Sequence, residues 1–179
     1  LLTAVESGWQ GALMAPTEVL AHQHYVTLCK WMPQLHVTVE LLTGSTPLKE
    51  RKKILTDLAT GNLKILVGTH ALIEESVSFF RLGLVVVDEQ HRFGVNQRNL
   101  LINKGLQPHL LTMTATPIPR TLALSIHGDL DVSQINELPP GRRPIKTQLI
   151  SASEREKGYD IIKEEIDKGL QAYVVLPLV

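Results

Sequence analysis

Residues 85–91 read Val-Val-Val-Asp-Glu-Gln-His, and the adjacent carboxylates Asp88 and Glu89 are the side chains whose type and placement most clearly suit chemistry. Val85, Val86 and Val87 form a β-branched apolar run, the pattern of a strand buried on both faces of a parallel sheet. In an open α/β sheet, ligands bind beyond the carboxyl ends of the strands, so a run that stops abruptly at two acids puts them where substrates sit. One carboxylate can hold a magnesium ion through its water shell, and the second can orient a water for attack on a phosphate. The plainer alternative is a pair of acids capping a strand in a solvated turn, and the heptad alone is compatible with both.

Four further segments fall where strands should end: Ala15-Pro16-Thr17-Glu18, Thr43-Gly44-Ser45, Gly68-Thr69-His70, and Thr114-Ala115-Thr116-Pro117-Ile118-Pro119-Arg120. Each puts small or hydroxyl-bearing residues at a strand-to-helix turn. Such turns offer free backbone N–H groups and a helix N-terminus, both suited to phosphate. Any one of them alone is ordinarily a simple cap. Together with the acid pair they point to one phosphate-handling edge.

The elements that must position these residues alternate along the chain. Strand patterns cover residues 12–15, 37–42, 65–67, 84–87 and 110–113. A helix over 17–32 opens at Thr17 after Pro16. A second opens at Thr46 with Pro47 in its first position, puts Leu48, Leu55 and Leu58 on one face, and ends before Gly61. Strands alternating with helices give an α/β fold with a parallel, doubly wound sheet. Residues 137–144, Glu-Leu-Pro-Pro-Gly-Arg-Arg-Pro, can continue neither a helix nor a central strand and read as an interdomain linker. Beyond it come strand patterns at 147–150 and 172–176. They flank a helix with a capping box, Ser153 with Glu156, and Gly169 near its end. One such unit of about thirty residues is too small for an independent core.

Composition sets the limits. The 179 residues are 44% hydrophobic, enough for a sizeable core, and carry 18 Lys+Arg against 18 Asp+Glu. With no net charge, any nucleic-acid contact must be local rather than the work of a global basic field. Cys29 is the only cysteine, which excludes a disulfide framework and a cysteine-rich zinc site and fits a core thiol in a reducing cytoplasm. No run reaches membrane-spanning length and no signal peptide is evident. Few aromatics argue against base-stacking platforms. His22 and His24 lie two apart on a helix, face different sides and make no metal pair. His91 alone would read as a core histidine with one hydrogen bond. No G-x-S-x-G elbow is present, which excludes an α/β-hydrolase.

Ala-Pro-Thr-Glu (15–18), Thr-Gly-Ser (43–45), Val-Gly-Thr-His (67–70), Asp-Glu-Gln-His (88–91) and Thr-Ala-Thr-Pro (114–117) resemble motifs Ia, Ib, Ic, II and III of superfamily 2 helicases. The acid pair then corresponds to the Walker B arrangement of P-loop NTPases. The longer segments 87–95 and 113–123, with Asp129-Leu130-Asp131 and residues 137–142, resemble the RecG type of bacterial ATP-dependent DNA helicases, and nearly the whole chain is covered. The related transcription-repair coupling type usually carries Glu where this chain has Gln90, which favours the RecG type.

The resemblance implies a RecA-like motor domain over 1–138, a linker over 139–145 and the start of a second RecA-like domain over 146–179. ATP and magnesium are the implied cofactors, with Asp88 holding Mg²⁺ through water and Glu89 orienting the hydrolytic water. Gln90 and His91 would connect the phosphate end to motif III, where Thr114, Ala115 and Thr116 relay nucleotide state. Pro16, Thr17, Glu18, Thr43, Gly44, Gly68, Thr69, His70 and Arg120 would lie along a DNA track, contacting mainly the sugar-phosphate backbone. The implied substrate is branched or forked DNA, remodelled in recombination and repair by a cytoplasmic enzyme with no membrane partner.

Residues 1–179 contain no G-x-x-x-x-G-K followed by Ser or Thr. The family places that phosphate loop just before Leu1, and motifs IV to VI with the arginine finger beyond Val179. The expectation is an internal piece of a helicase, inactive by itself and dependent on the remainder of the parent. In the family the phosphate-loop strand pairs with the motif III strand. Residues 110–113 should therefore present an unpaired apolar edge, covered by another chain, by residues 1–9 or by residues 147–150. A non-catalytic α/β binding module is the alternative from a different functional class.

Overall fold

The computed structural model describes residues 1–116, 131–137, 139, 141 and 145–176. The chain divides into two compact units, Leu1–Leu130 and Asp131–Val179. In the first unit the strands are β1 (Gln10–Met14), β2 (Val39–Leu42), β3 (Ile65–Gly68), β4 (Leu82–Val87) and β5 (His109–Thr112). They form one sheet in the order β2-β3-β1-β4-β5, and every pairing is parallel. The helices are α1 (Leu2–Glu6), α2 (Glu18–Trp31), α3 (Leu48–Ala59) and α4 (Val95–Ile102). The expected α/β sheet is present, with each strand within a few residues of its sequence pattern.

Alternation along the central strands builds a core on each face. Ala12, Met14, Leu66, Val85 and Val87 pack with Ile54 and Leu58 of α3 and Leu101 of α4. Leu13, Ala15, Ile65, Val67 and Val86 point the other way and pack with Ala21 and Leu28 of α2. Strands β1 and β3 are buried at every position, as period-two strands covered on both faces must be. Buried Gln10 is fully paired. Its amide donates to the carbonyls of Leu58 (2.9 Å) and Leu63 (2.7 Å), and its Oε1 accepts from the Arg81 N–H (2.8 Å).

Register decides where function can sit. Met14 lies opposite Gly68 and Val87, Leu42 opposite Gly68, and Val87 opposite Thr112. All five strands therefore end along one line. Gly68 makes the tight alignment possible, because a Cβ there would lie 2.0 Å from the Leu42 carbonyl oxygen and 2.1 Å from Leu72 Cδ1.

Several expectations need correction. Helix α3 starts behind Pro47 with no side-chain cap, because the Thr46 hydroxyl is engaged in accepting the Thr43 N–H at 2.9 Å. Leu48 is 85% exposed, so the inward face of α3 is Ile54 and Leu58, with Leu55 partly buried. Strand β5 has β4 as its one neighbour among the described residues, as expected of an unpaired edge. The covering differs. Leu1, Leu2 and Val5 pack on the sheet face, with Leu1 Cδ2 2.5 Å from where a Cβ on Gly11 would be, and do not line the edge. Leu110 turns into the core and Leu111 stays 50% exposed. The four-residue length of β5 limits how many backbone groups go unpaired.

In the second unit the described elements are a 3₁₀ turn at Ala152–Glu154 and α5 (Arg155–Asp167). Residues 147–150 and 172–176 form no strand, and no capping box is made at Ser153. No residue of α5 is fully buried, so the described residues of this unit offer no core against which a pair of strands could form.

Candidate functional site

The residues just past the strands stand in the order of the sheet: Thr43 after β2, Thr69 after β3, Ala15 to Thr17 after β1, Asp88 and Glu89 after β4, and Met113 and Thr114 after β5. The edge has two parts, an acidic one at β4–β5 and a hydroxyl-rich one at β2–β3–β1.

At β4–β5 the backbone continues the ladder before it turns. The Asp88 N–H donates to the Met14 carbonyl (2.9 Å) and the Gln90 N–H to the Met113 carbonyl (3.2 Å). Between them Glu89 is left-handed, at φ 49° and ψ 52°, a conformation that carries a cost for a residue with a side chain. The Asp88 carboxylate is held at both oxygens. Oδ1 accepts the Glu89 N–H (2.9 Å), and Oδ2 faces His24 Nε2 of α2 at 2.7 Å. Glu89 Oε2 accepts from the Thr114 hydroxyl (3.3 Å) and the Ala115 N–H (3.4 Å), with His91 Nδ1 3.5 Å away. The Thr114 and Thr116 hydroxyls lie 3.3 Å apart, and the Thr116 N–H donates to Thr114 Oγ1 at 3.2 Å. The side chain joining the segment after β4 to that after β5 is therefore Glu89 itself, while Gln90 contributes its backbone and turns its Oε1 to Arg98 (3.1 Å). His91 is exposed, which rules out the core-histidine alternative.

The donor set fits magnesium in a particular way. No group of three or more metal-ligating side chains occurs among the described residues. Asp88 and Glu89 alone cannot enclose an ion. Magnesium is ordinarily bound through one or two carboxylates while it keeps waters and takes substrate phosphates as further ligands, and this pair suits that mode.

At β2–β3–β1 the hydroxyls mostly bond one another. Thr43 is 4% exposed, with its Oγ1 2.9 Å from Ser45 Oγ. Glu18 reaches across from α2, where it accepts the Ser45 N–H (3.2 Å) and hydroxyl (2.9 Å). The Ser45 hydroxyl first, and its N–H second, hold the Glu18 carboxyl below the usual carboxylate range. Thr17 Oγ1 accepts the Leu20 N–H (3.2 Å) as the N-cap of α2. Thr69 is buried and its hydroxyl has no partner among the described residues, whereas His70 beside it is exposed. Gly44 and Ser45 are exposed, Pro16 is half-buried, and Gly68 is buried in the sheet. Arg120 lies outside the described residues.

Sequence reasoning missed His24. The signal was present: Ala21, His24 and Leu28 follow helical spacing, and Ala21 and Leu28 are buried. A histidine within such a stripe requires a polar partner, but the sequence cannot say that the partner lies 64 residues away.

Residues 1–124 match the family model of DEAD/DEAH box helicases. The chain is 60% identical over 179 residues to the ATP-dependent DNA helicase RecG of Synechocystis and 50% identical over 179 residues to that of Bacillus subtilis. Those matches cover 100% of this chain and 22% and 26% of the relatives. The chain thus spans about a quarter of the length of the curated relatives it matches. Among solved structures, the DNA-bound DUF1998 helicase MrfA superimposes with a TM-score of 0.55 at 17% identity over 70% of this chain and 18% of that one, which supports the fold. No helix among the described residues is long and apolar enough to cross a membrane. The matched model, the parallel sheet and the acid pair at its edge agree: this chain belongs to the DEAD/DEAH box helicase family.

Proposed function

We propose that these residues form the greater part of the first motor domain of a RecG-type helicase, which couples ATP hydrolysis to remodelling of branched or forked DNA in the cytoplasm. Residues 1–138 belong to that domain, 139–145 to the linker and 146–179 to the second motor domain. The arrangement of Asp88, Glu89 and Thr114 carries the reading: two carboxylates at one strand end, with the second bonded to the segment after the neighbouring strand. Asp88 would hold magnesium through water. Glu89 would orient the attacking water, and its bonds to Thr114 and Ala115 give Thr114–Thr116 a route to sense the nucleotide's state. Gln90 and His91 complete the turn that fixes Glu89.

Magnesium and ATP supply the polarised phosphate when bound. The chain supplies carboxylates held in place before the substrate arrives. The side of β5 that pairs with no described strand would offer a ladder for a strand carrying the phosphate loop. The segments at Pro16, Thr17, Glu18, Thr43, Gly44, Gly68, Thr69, His70 and Arg120 would follow the DNA backbone. Within them Thr17, Thr43, Gly68 and Thr69 shape the track, and Gly44, Ser45 and His70 present surface to it.

The test is phosphate release by the full-length protein. Turnover should depend on DNA, should be stimulated more by a forked duplex than by a linear one, and should fall by at least about 10²-fold in Glu89→Gln. Equal turnover with and without DNA, or an unaffected Glu89→Gln, would overturn the reading.

A further inference from the structure

We propose that His24 is a positioning residue for Asp88, fixing the carboxylate in the orientation in which it takes up the water shell of magnesium. This rests on reading Asp88 as the magnesium carboxylate. A carboxylate has no proton to give, so the 2.7 Å contact requires the His24 proton on Nε2. Asp88 Oδ1 is already bound to the Glu89 N–H at 2.9 Å. One donor on each oxygen removes the carboxylate's freedom to rotate and leaves the remaining lone pairs for a ligand. The His24 and Asp88 side chains are 27% and 16% exposed, so water replaces neither partner freely.

The contact also ties the two parts of the edge together. The N-terminus of α2 carries Thr17 and Glu18, and Glu18 grips the loop after β2 through Ser45. Two turns further along, the same helix holds Asp88. Helix α2 is thus a stiff connection between the loop assigned to DNA and the carboxylate assigned to magnesium. A bond that merely anchored α2 would affect folding but not the response to the metal.

The experiment measures binding of a fluorescent ADP to the full-length protein while magnesium is titrated. Partners that orient a metal-binding side chain typically affect metal affinity by about 10- to 100-fold. His24→Ala should raise the magnesium concentration for half-maximal effect by about 10-fold or more, with ADP affinity in the absence of magnesium unchanged. His24→Gln, whose amide can still donate, should recover most of that loss. An unchanged magnesium requirement in His24→Ala would overturn the proposal. So would equal loss in Ala and Gln variants accompanied by weaker magnesium-free binding. If His24→Ala fails to fold, His24→Gln and His24→Asn decide: the shorter Asn should raise the magnesium requirement and Gln should not, and equal values would overturn the proposal. Asp88→Asn serves as the separate control. If it leaves the magnesium effect intact, the reading of Asp88 fails and the proposal falls with it, whereas a magnesium effect lost in Asp88→Asn but unchanged in His24→Ala overturns the role of His24 alone.

Discussion

Two glutamates on one sheet edge behave differently. Glu18, beside β1, spends its carboxylate on Ser45 and so fastens the loop after β2. Glu89, beyond β4, sits in a left-handed backbone and reaches Thr114 and Ala115 of the segment after β5. One closes a local structure. The other links two segments and stands next to a second carboxylate. The sheet brings both to the same line, and under the proposed function the first shapes the DNA track while the second handles phosphate. On that proposal one sheet edge carries DNA grip at β2–β3–β1 and nucleotide chemistry at β4–β5.

The same substitution at both glutamates is the sharpest way to break this comparison. Glu89→Gln in the full-length protein should lower phosphate release by about 10²- to 10⁴-fold, the usual range for a lost acid–base group, while nucleotide still binds. Glu18→Gln should leave maximal turnover within a few-fold and change DNA affinity instead. Comparable loss of turnover from both would erase the distinction.

Next in size is a stability effect where β2 and β3 meet at Gly68. Gly68→Ala drives a Cβ into the Leu42 carbonyl oxygen, and should cost about 1–3 kcal/mol in denaturant unfolding, as overpacking does. Gly94→Ala, with nothing within 4 Å of the added atom, should leave the unfolding midpoint nearly unchanged. Equal effects at both glycines would show that the aligned strand ends do not depend on that close approach.

A smaller effect follows from the helix that connects the two parts. Thr17→Ala removes the cap of α2 and should cost about 1 kcal/mol, with Thr17→Ser recovering most of it. The smallest is acid dependence. The Glu18 carboxyl is held below its ordinary value by Ser45, so its contribution is present above the unfolded-state value and is lost as pH falls through the lower folded value. Its titration, followed by NMR, should shift upward in Ser45→Ala.

Much of this architecture is legible in the sequence, and the reasons are physical. Val85–Val87 and Ile65–Val67 can be read because buried parallel strands use uninterrupted β-branched or aliphatic runs. The acid pair can be read because such a run ends on it. Thr17 is a visible cap because the hydroxyl acts within three residues. Thr46 misleads for the same reason: a hydroxyl before a helix can cap it or bond its own loop, and here it takes the Thr43 N–H. The pairing of His24 with Asp88 is hidden by chain separation. The bond from Glu89 to Thr114 is hidden because it depends on an unusual backbone conformation at one residue. The missing strands at 147–150 and 172–176 show the opposite limit, since a periodic pattern forms no strand without a neighbour.

The division of labour along the edge is tested most directly by measuring forked-DNA affinity and phosphate release side by side for Glu89→Gln and His70→Glu in the full-length protein. His70 is exposed in the segment proposed to follow DNA, and a negative charge there should repel the DNA backbone. The account predicts that His70→Glu weakens DNA binding while keeping turnover at saturating DNA, and that Glu89→Gln keeps DNA binding while losing turnover. Parallel loss of both properties in both variants would contradict it.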